Sequence, residues 1–284
     1  MSLSHKIRMV GLDLDGTFLT SGKEVSEANL LAVKEALAQG VIVLPVTGRP
    51  FGAVPKELIS LCGFPYVIAA GGASVHDIRD GSVLFSCGMP YHVAREITVR
   101  LREMGFIVNL FTEGLGYVDE SEFDAMLGCA RSDAAREYLR RFRIPVPDIL
   151  HLAGNPTPCV EKLTATAPRD ENGVIPGNEE ARRMLRDYEE HVKVMYSPEI
   201  NIEIDPVAAS KGGSLLRLGE QFGIHREEIM AFGDSDNDRE LLSMAGVSVA
   251  MGNAAPHLLE MAEIIAPDND HDGVAEILRK YVLS

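Results

Sequence analysis

Residues 10–20 read VGLDLDGTFLT, and the fold turns on how this stretch is understood. An apolar run carries two aspartates, Asp13 and Asp15, one residue apart, and Gly16-Thr17 follow at once. Aspartate is depleted in strands and is rarely buried without a partner. In open α/β sheets, however, ligands bind outside the carboxyl ends of the strands. A strand ending in two carboxylates therefore reads as one that delivers them to a site. Outward from it, SEANLLAVKEALAQG is a helix with Ser26 as N-cap and Gly40 as its stop. VIVLPV is a second strand, ending in Thr47-Gly48-Arg49; GAVPKELISLC is a helix; YVIAAGGA is a strand running into a glycine turn. This β-α-β-α-β rhythm predicts a parallel, doubly wound sheet with right-handed crossovers.

From about Val83 the texture changes. Strands are expected at FIVNLF, GYVDE, CVEKLTAT, VKVMYS and NIEID, and helices around 92–104, 121–142 and 178–190, with ENGVIPGN a loop. Several strands follow one another with only turns between them, which points to antiparallel pairing. After Pro206 the first rhythm returns, with helices SKGGSLLRLGEQFG, DNDRELLSMAG, AAPHLLEMA and GVAEILRKYV alternating with strands IMAFGD, VSVAMG and EIIAP. The expected class is α/β: a doubly wound, Rossmann-like core from residues 1–82 and 206–284, with an α+β domain, 83–205, inserted between them.

The chain has 284 residues, enough for one large or two medium domains. A net charge of −15 repels nucleic-acid phosphates and anionic lipid, which argues against both as partners. An anionic substrate would need local positive charge. Cys62, Cys87, Cys129 and Cys159 show no CxxC pair or zinc spacing and read as reduced thiols of a cytoplasmic protein. The N-terminus has no secretory apolar segment and no apolar stretch approaches 18 residues, so neither a signal peptide nor a membrane span is expected. The expected state is a monomer or weak homo-oligomer.

The polar residues at predicted strand ends form one set. The first strand delivers Asp13, Asp15, Gly16 and Thr17, the second Thr47, Gly48 and Arg49, and IMAFGD delivers Asp234, followed by Asn237 and Asp238, while Lys211 opens a helix where the chain returns to the core. So many carboxylates side by side require a cation, and oxygen-only ligands point to a hard one, Mg²⁺ first. A lysine with hydroxyl and amide donors beside it makes an anion site, as phosphoryl transfer needs. Residues i and i+2 of a strand face the same way. Asp13 at the tip can attack phosphorus, and Asp15 can protonate the leaving oxygen and then activate water.

These motifs resemble those of the haloacid dehalogenase superfamily. DLDGT is similar to its motif I, TGR (Thr47–Arg49) to motif II, SKG (Ser210–Gly212) to motif III and GDSDND (Gly233–Asp238) to motif IV. Their order and spacing, and the tail PDNDHDGVAEIL, resemble the Cof-type branch, which carries a C2-type (C2B) cap between motifs II and III. The resemblance implies a phosphatase of small phosphorylated metabolites, sugar phosphates first, with phosphorylated cofactors and flavin precursors as alternatives. It implies Asp13 as nucleophile and Mg²⁺ ligand, and Asp15 as general acid/base that binds the metal through its carbonyl. Asp234 would be the third protein ligand, and Asp238 would hold metal-bound water. Leu14 N–H, Thr47, Gly48, Lys211 and Asn237 would bind the phosphoryl group or orient a ligand. One departure is Gly71-Gly72, where relatives often have Asn-Gly, which affects a polar contact near the substrate.

Two rival functions are a phosphomutase on the same aspartate and a receiver-like regulator; Asp15 and residues 83–205 argue against the second. Arg49 either reaches phosphate or substrate or forms a structural salt bridge. REYLRRFR (Arg136–Arg143) reads as the solvated face of a helix, His271 as a surface residue, and Met104, Met126 and Met184 as core.

Overall fold

The computed structural model describes residues 5–152, 159–171, 173–196 and 202–283. Parts of three expected segments fall outside these residues: Asn172 of the ENGVIPGN loop, Ser197 of VKVMYS and Asn201 of NIEID. The chain divides into two compact units, the first from Met1–Arg49, Val54–Phe85 and Ser210–Ser284, the second from Pro50–Ala53 and Ser86–Ala209.

The first unit opens with β1 (Met9–Leu12), α1 (Glu27–Ala38), β2 (Ile42–Pro45), α2 (Lys56–Cys62), β3 (Tyr66–Ala69), β4 (Ser74–Asp77) and β5 (Val83–Ser86). Ser26 caps α1 as expected, its side chain accepting the Asn29 N–H, and Gly40 follows the helix at φ +83°. In the second unit come α3 (Tyr91–Glu103), β6 (Ile107–Thr112), β7 (Leu115–Asp119), α4 (Phe123–Gly128), α5 (Asp133–Phe142), β8 (Arg143–Val146) and α6 (Ile149–Leu152). They are followed by β9 (Val160–Thr166), α7 (Asn178–Leu185), β10 (Val192–Met195) and β11 (Ile202–Pro206). The first unit then resumes with α8 (Lys211–Gln221), β12 (Ile229–Gly233), α9 (Arg239–Met244), β13 (Val247–Ala250), α10 (Pro256–Met261), β14 (Ile264–Ile265) and α11 (Gly273–Tyr281).

Among the described residues, the first unit is built on a five-stranded sheet in the order β14-β13-β12-β1-β2, parallel throughout. A single parallel bridge, Val46 to Ile68, connects it to β3, which pairs antiparallel with β4, and β5 lies beyond β4 in the same three-stranded sheet. Every residue of β1 is buried, which suits a central strand covered on both faces. The sequence had not marked β4 and β5, because SVHD and VLFS lie among Gly, Arg and Asp residues that read as loop.

The second unit carries a six-stranded sheet, β10-β11-β9-β6-β7-β8, antiparallel except for β7 with β8. One face packs Val108, Leu110, Leu163, Ala165 and Ile204 against Ile97 and Leu101 of α3 and Met184 of α7. Met126 is in a smaller cluster with Ile107 and Val118, and Met104 packs on the main one. The helix expected over 121–142 is broken: α4 ends at Gly128, and α5 begins after a new N-cap, Ser132, whose side chain accepts the Ala135 N–H. The helix expected over 178–190 is α-helical only to Leu185 and tightens into a 3₁₀ turn at Arg186–Tyr188. The solvated-face reading of Arg136–Arg143 fails at its last residue. Arg143 begins β8, is 5% exposed, and stacks its guanidinium 4.6 Å from the centre of the Phe111 ring. Gly116 between them makes room, since a Cβ there would lie 2.7 Å from the Phe111 ring.

Candidate active site

The expected residues of motifs I, III and IV meet at the carboxyl ends of β1 and β12, whose pairing sets Leu12 beside Phe232. Asp13 is the first residue past β1, and its N–H donates to the Phe232 carbonyl. The chain then turns away sharply at Gly16, with φ at +86°, a conformation open to glycine at little cost. Space demands glycine there as well, because a Cβ would lie 2.4 Å from Asp234 Oδ2. Thr17, fully buried, donates its hydroxyl to Asp234 Oδ1 at 2.9 Å.

Asp234 follows β12, and Asp238 lies four residues on in a short 3₁₀ turn. Asp238 Oδ2 accepts the N–H groups of Asp234 and Ser235 at 3.1 and 3.2 Å. Gly233 permits this fold-back, since a Cβ there would lie 2.4 Å from the Asp238 Cβ. Lys211 is the first residue of α8, whose N-cap Ser210 accepts the Gly213 N–H. Its Nζ donates to Asp13 Oδ1 at 2.7 Å, Asp238 Oδ1 at 2.6 Å and Asn237 Oδ1 at 3.0 Å. The turn after β3 supports this start of α8: Gly72, at φ +95°, comes so close that a Cβ would lie 2.2 Å from the Ser210 carbonyl oxygen, and Ser214 Oγ donates to the Gly72 carbonyl. Gly72, the glycine that the Asn-Gly form shares, is thus fixed by packing, and the departure is confined to Gly71.

Thr47 and Gly48 follow β2, which pairs with β1 so that Pro45 lies beside Leu12. Thr47 is buried and Gly48 half-buried. Leu14 is fully buried, its carbonyl accepting the Leu19 N–H. Arg49 takes the salt-bridge alternative, since its Nε and Nη2 each donate to one oxygen of Asp15, both at 2.7 Å. Lys23, which the sequence had not singled out, donates to Asp15 Oδ1 at 2.8 Å. No local pattern marks Lys23; it reaches Asp15 because the loop after Gly16 doubles back. His271 is at the surface, with its Nδ1 2.6 Å from Asp268 Oδ1.

Charge is crowded here. One oxygen each of Asp13, Asp234 and Asp238 lie within 4.8 Å of one another. Burial, and then the charge of Asp238, push Asp13 up to about 8 against the pull of Lys211. Burial and Asp238 likewise push Asp234 up to about 6. For Asp15 burial acts upward too, but hydrogen bonds and charge from Arg49, then Lys23, outweigh it and hold the carboxyl at about 2. Lys211 is held well above its usual value, burial being outweighed by Asp13 and Asp238. One lysine among three converging carboxylates leaves excess negative charge, and the donors are all hard oxygens. The set fits a hard divalent cation.

A pH dependence follows. Without divalent metal, the contributions of Asp234 and Asp13 to stability are fully present below their unfolded values near 4 and are lost as pH rises through about 6 for Asp234 and about 8 for Asp13. The melting temperature in chelator should therefore fall between about pH 5 and pH 8, and added Mg²⁺ should raise it more at pH 8. The same rise at both pH values would show that these carboxylates do not meet the metal.

The family model of haloacid dehalogenase-like hydrolases matches residues 10–278. The chain belongs to this family. Among curated members, a phosphatase of Bacillus subtilis is 29% identical, covering 96% of this chain and 99% of the relative. A 5-amino-6-(5-phospho-D-ribitylamino)uracil phosphatase of the same organism is 28% identical, covering 98% and 99%. Among solved structures, a haloacid dehalogenase-like hydrolase from Bacteroides thetaiotaomicron superposes with a TM-score of 0.80 at 25% identity, covering 97% of this chain and 99% of that one. This hydrolase thus shares family and fold with its relatives over nearly its whole length.

Proposed function

We propose that this family member is a Mg²⁺-dependent phosphatase that hydrolyses phosphomonoesters of small metabolites through an aspartyl-phosphate on Asp13. The observation that carries the reading is Asp13 at the tip of β1, 2.7 Å from the buried Lys211 ammonium and within one carboxylate cluster with Asp234 and Asp238. Mg²⁺ would be held by Asp13, Asp234 and the Asp15 carbonyl, with Asp238 beside them, and would supply positive charge toward the phosphoryl oxygens.

An Asp13 oxygen attacks phosphorus, the bond from phosphorus to the leaving oxygen breaks, and Asp15 protonates that oxygen. Water then attacks the phosphorus of the acyl phosphate, Asp15 takes its proton, and Asp13 leaves as carboxylate with inorganic phosphate released. Lys211, Thr47, Asn237 and the N–H groups of Leu14 and Gly48 hold the phosphoryl oxygens. Arg49 acts through Asp15. Held by two cations, Asp15 is in its base form, which the second half-reaction needs. The first half-reaction requires that this grip loosen.

The inserted residues 83–205 select the substrate. The relative that acts on a ribitylaminouracil phosphate supports a phosphorylated metabolite, and with it the flavin-precursor alternative to the sugar phosphates. The cytoplasm is the proposed compartment. The four free cysteines support it, and no helix among the described residues is long and apolar enough to cross a membrane. The net charge of −15 supports activity without nucleic acid or anionic lipid, as a monomer or weak homo-oligomer.

A panel of sugar phosphates, cofactor phosphates and 5-amino-6-(5-phospho-D-ribitylamino)uracil, scored by phosphate release, tests this. At least one member should reach a kcat/KM of about 10⁴ M⁻¹s⁻¹ or more, and EDTA should abolish it. Isomerisation of a sugar phosphate without net phosphate release would replace hydrolysis with a mutase reaction.

A further inference from the structure

The loop that leaves β1 at Gly16 is tied to the rest of the unit at three points. Asn253 Nδ2 donates to the Gly16 carbonyl at 2.8 Å. Asn269, only 6% exposed, donates its Nδ2 to the Leu19 carbonyl at 2.9 Å. Asp270 accepts the Ser21 N–H at 2.8 Å and the Ser21 hydroxyl at 2.7 Å. The ties are themselves linked, since the Asn269 N–H donates to Asn253 Oδ1 at 3.1 Å. The residues joined are separated by 237 to 250 positions in sequence.

The loop so held carries three groups of the site. Gly16 lies against the Asp234 carboxylate, Thr17 donates to it, and Lys23 reaches back to Asp15. Lys23 does so from a backbone φ of +63°, uncommon for a residue with a Cβ and tolerated where neighbouring contacts fix the chain. A carbonyl that loses its donor lets this loop shift, and both Asp15 and Asp234 then lose a partner that sets their oxygens.

We propose that Asn253 and Asn269 are positioning residues for the phosphoryl-transfer reaction, acting through the Gly16 and Leu19 carbonyls on Asp15 and Asp234. The proposal rests on the phosphatase reading above. Neither amide needs to touch substrate, so the effect belongs in turnover rather than in binding.

The test compares Asn253→Ala, Asn269→Leu and the double variant with wild type, at saturating Mg²⁺, on para-nitrophenyl phosphate and on the best metabolite from the panel. Rates are normalised to the folded fraction seen by circular dichroism. Each single variant should lower kcat by about tenfold or more with KM within about twofold, because small misplacements at a reacting centre are costly. The double variant should lose less than the product of the two single losses, because the Asn269 backbone N–H is held by Asn253 Oδ1, so Asn253→Ala already loosens the segment that carries Asn269. Unchanged kcat, a rise in KM alone, or a loss that vanishes on normalisation would overturn the positioning role. Absence of phosphate release by wild type would instead sink the phosphatase reading, so the two failures are told apart.

Discussion

Asp13→Asn should lower phosphate release by roughly 10⁴-fold or more while leaving the protein folded and at least as heat-stable as wild type. The rate loss is large because the amide cannot attack phosphorus, and removing a nucleophile removes the covalent route entirely. Stability should hold because the substituted amide keeps an oxygen for the Lys211 ammonium, which also retains Asp238 and Asn237. The substitution further removes one of three carboxylates whose mutual repulsion and burial already raise Asp13 and Asp234. Steady-state phosphate release and thermal melting in chelator together check this. An Asp13→Asn protein that turns over within tenfold of wild type would move the nucleophile elsewhere.

Asp15→Asn should slow steady-state turnover by about 10²- to 10⁴-fold, the usual span for losing general acid–base help. The two half-reactions should separate. With para-nitrophenyl phosphate the leaving group needs little protonation, so the first step survives, while the second lacks its base. Rapid mixing should then show a burst of nitrophenolate of about one equivalent per enzyme, followed by a slow steady rate. A lag-free linear trace at wild-type rate would exclude Asp15 as the acid–base group. Arg49 and Lys23 lose their carboxylate partner in this variant, but Lys23 is largely exposed and its pair contributes little to stability.

How much of this was legible in the sequence depended on how local the signal was. Asp13, Lys211 and Asp234 are legible because each sits where a strand ends or a helix begins, and such boundaries are written in neighbouring residues. The α/β core follows from the same punctuation. Arg143 is misleading because helical periodicity runs on through Arg140 and Arg141 to the very edge of the next strand. What buries Arg143 is the gap at Gly116, its partner on the neighbouring strand β7. Lys23, Asn253 and Asn269 are invisible for a related reason. Their partners are carbonyls or carboxylates reached through loop conformation, and a backbone carbonyl leaves no trace in residue identity. The break at Ser132 is locally written, as an N-cap serine before DAAREYL, but is masked by the helical stretches on either side of it.

The central pair of the sheet joins Met9–Leu12 to Ile229–Gly233. During synthesis, β1 therefore emerges more than 200 residues before the strand that covers its flank. Its open edge must wait, a long-range closure of the kind that slows folding and exposes chains to aggregation. The ion pair between Lys211 and Asp13 spans 198 positions and cannot form earlier than the strand pairing allows. Shielding of β1 by chaperones on the ribosome would thus matter most during translation of the inserted segment, and Asp13 would gain its lysine only after that segment has been made.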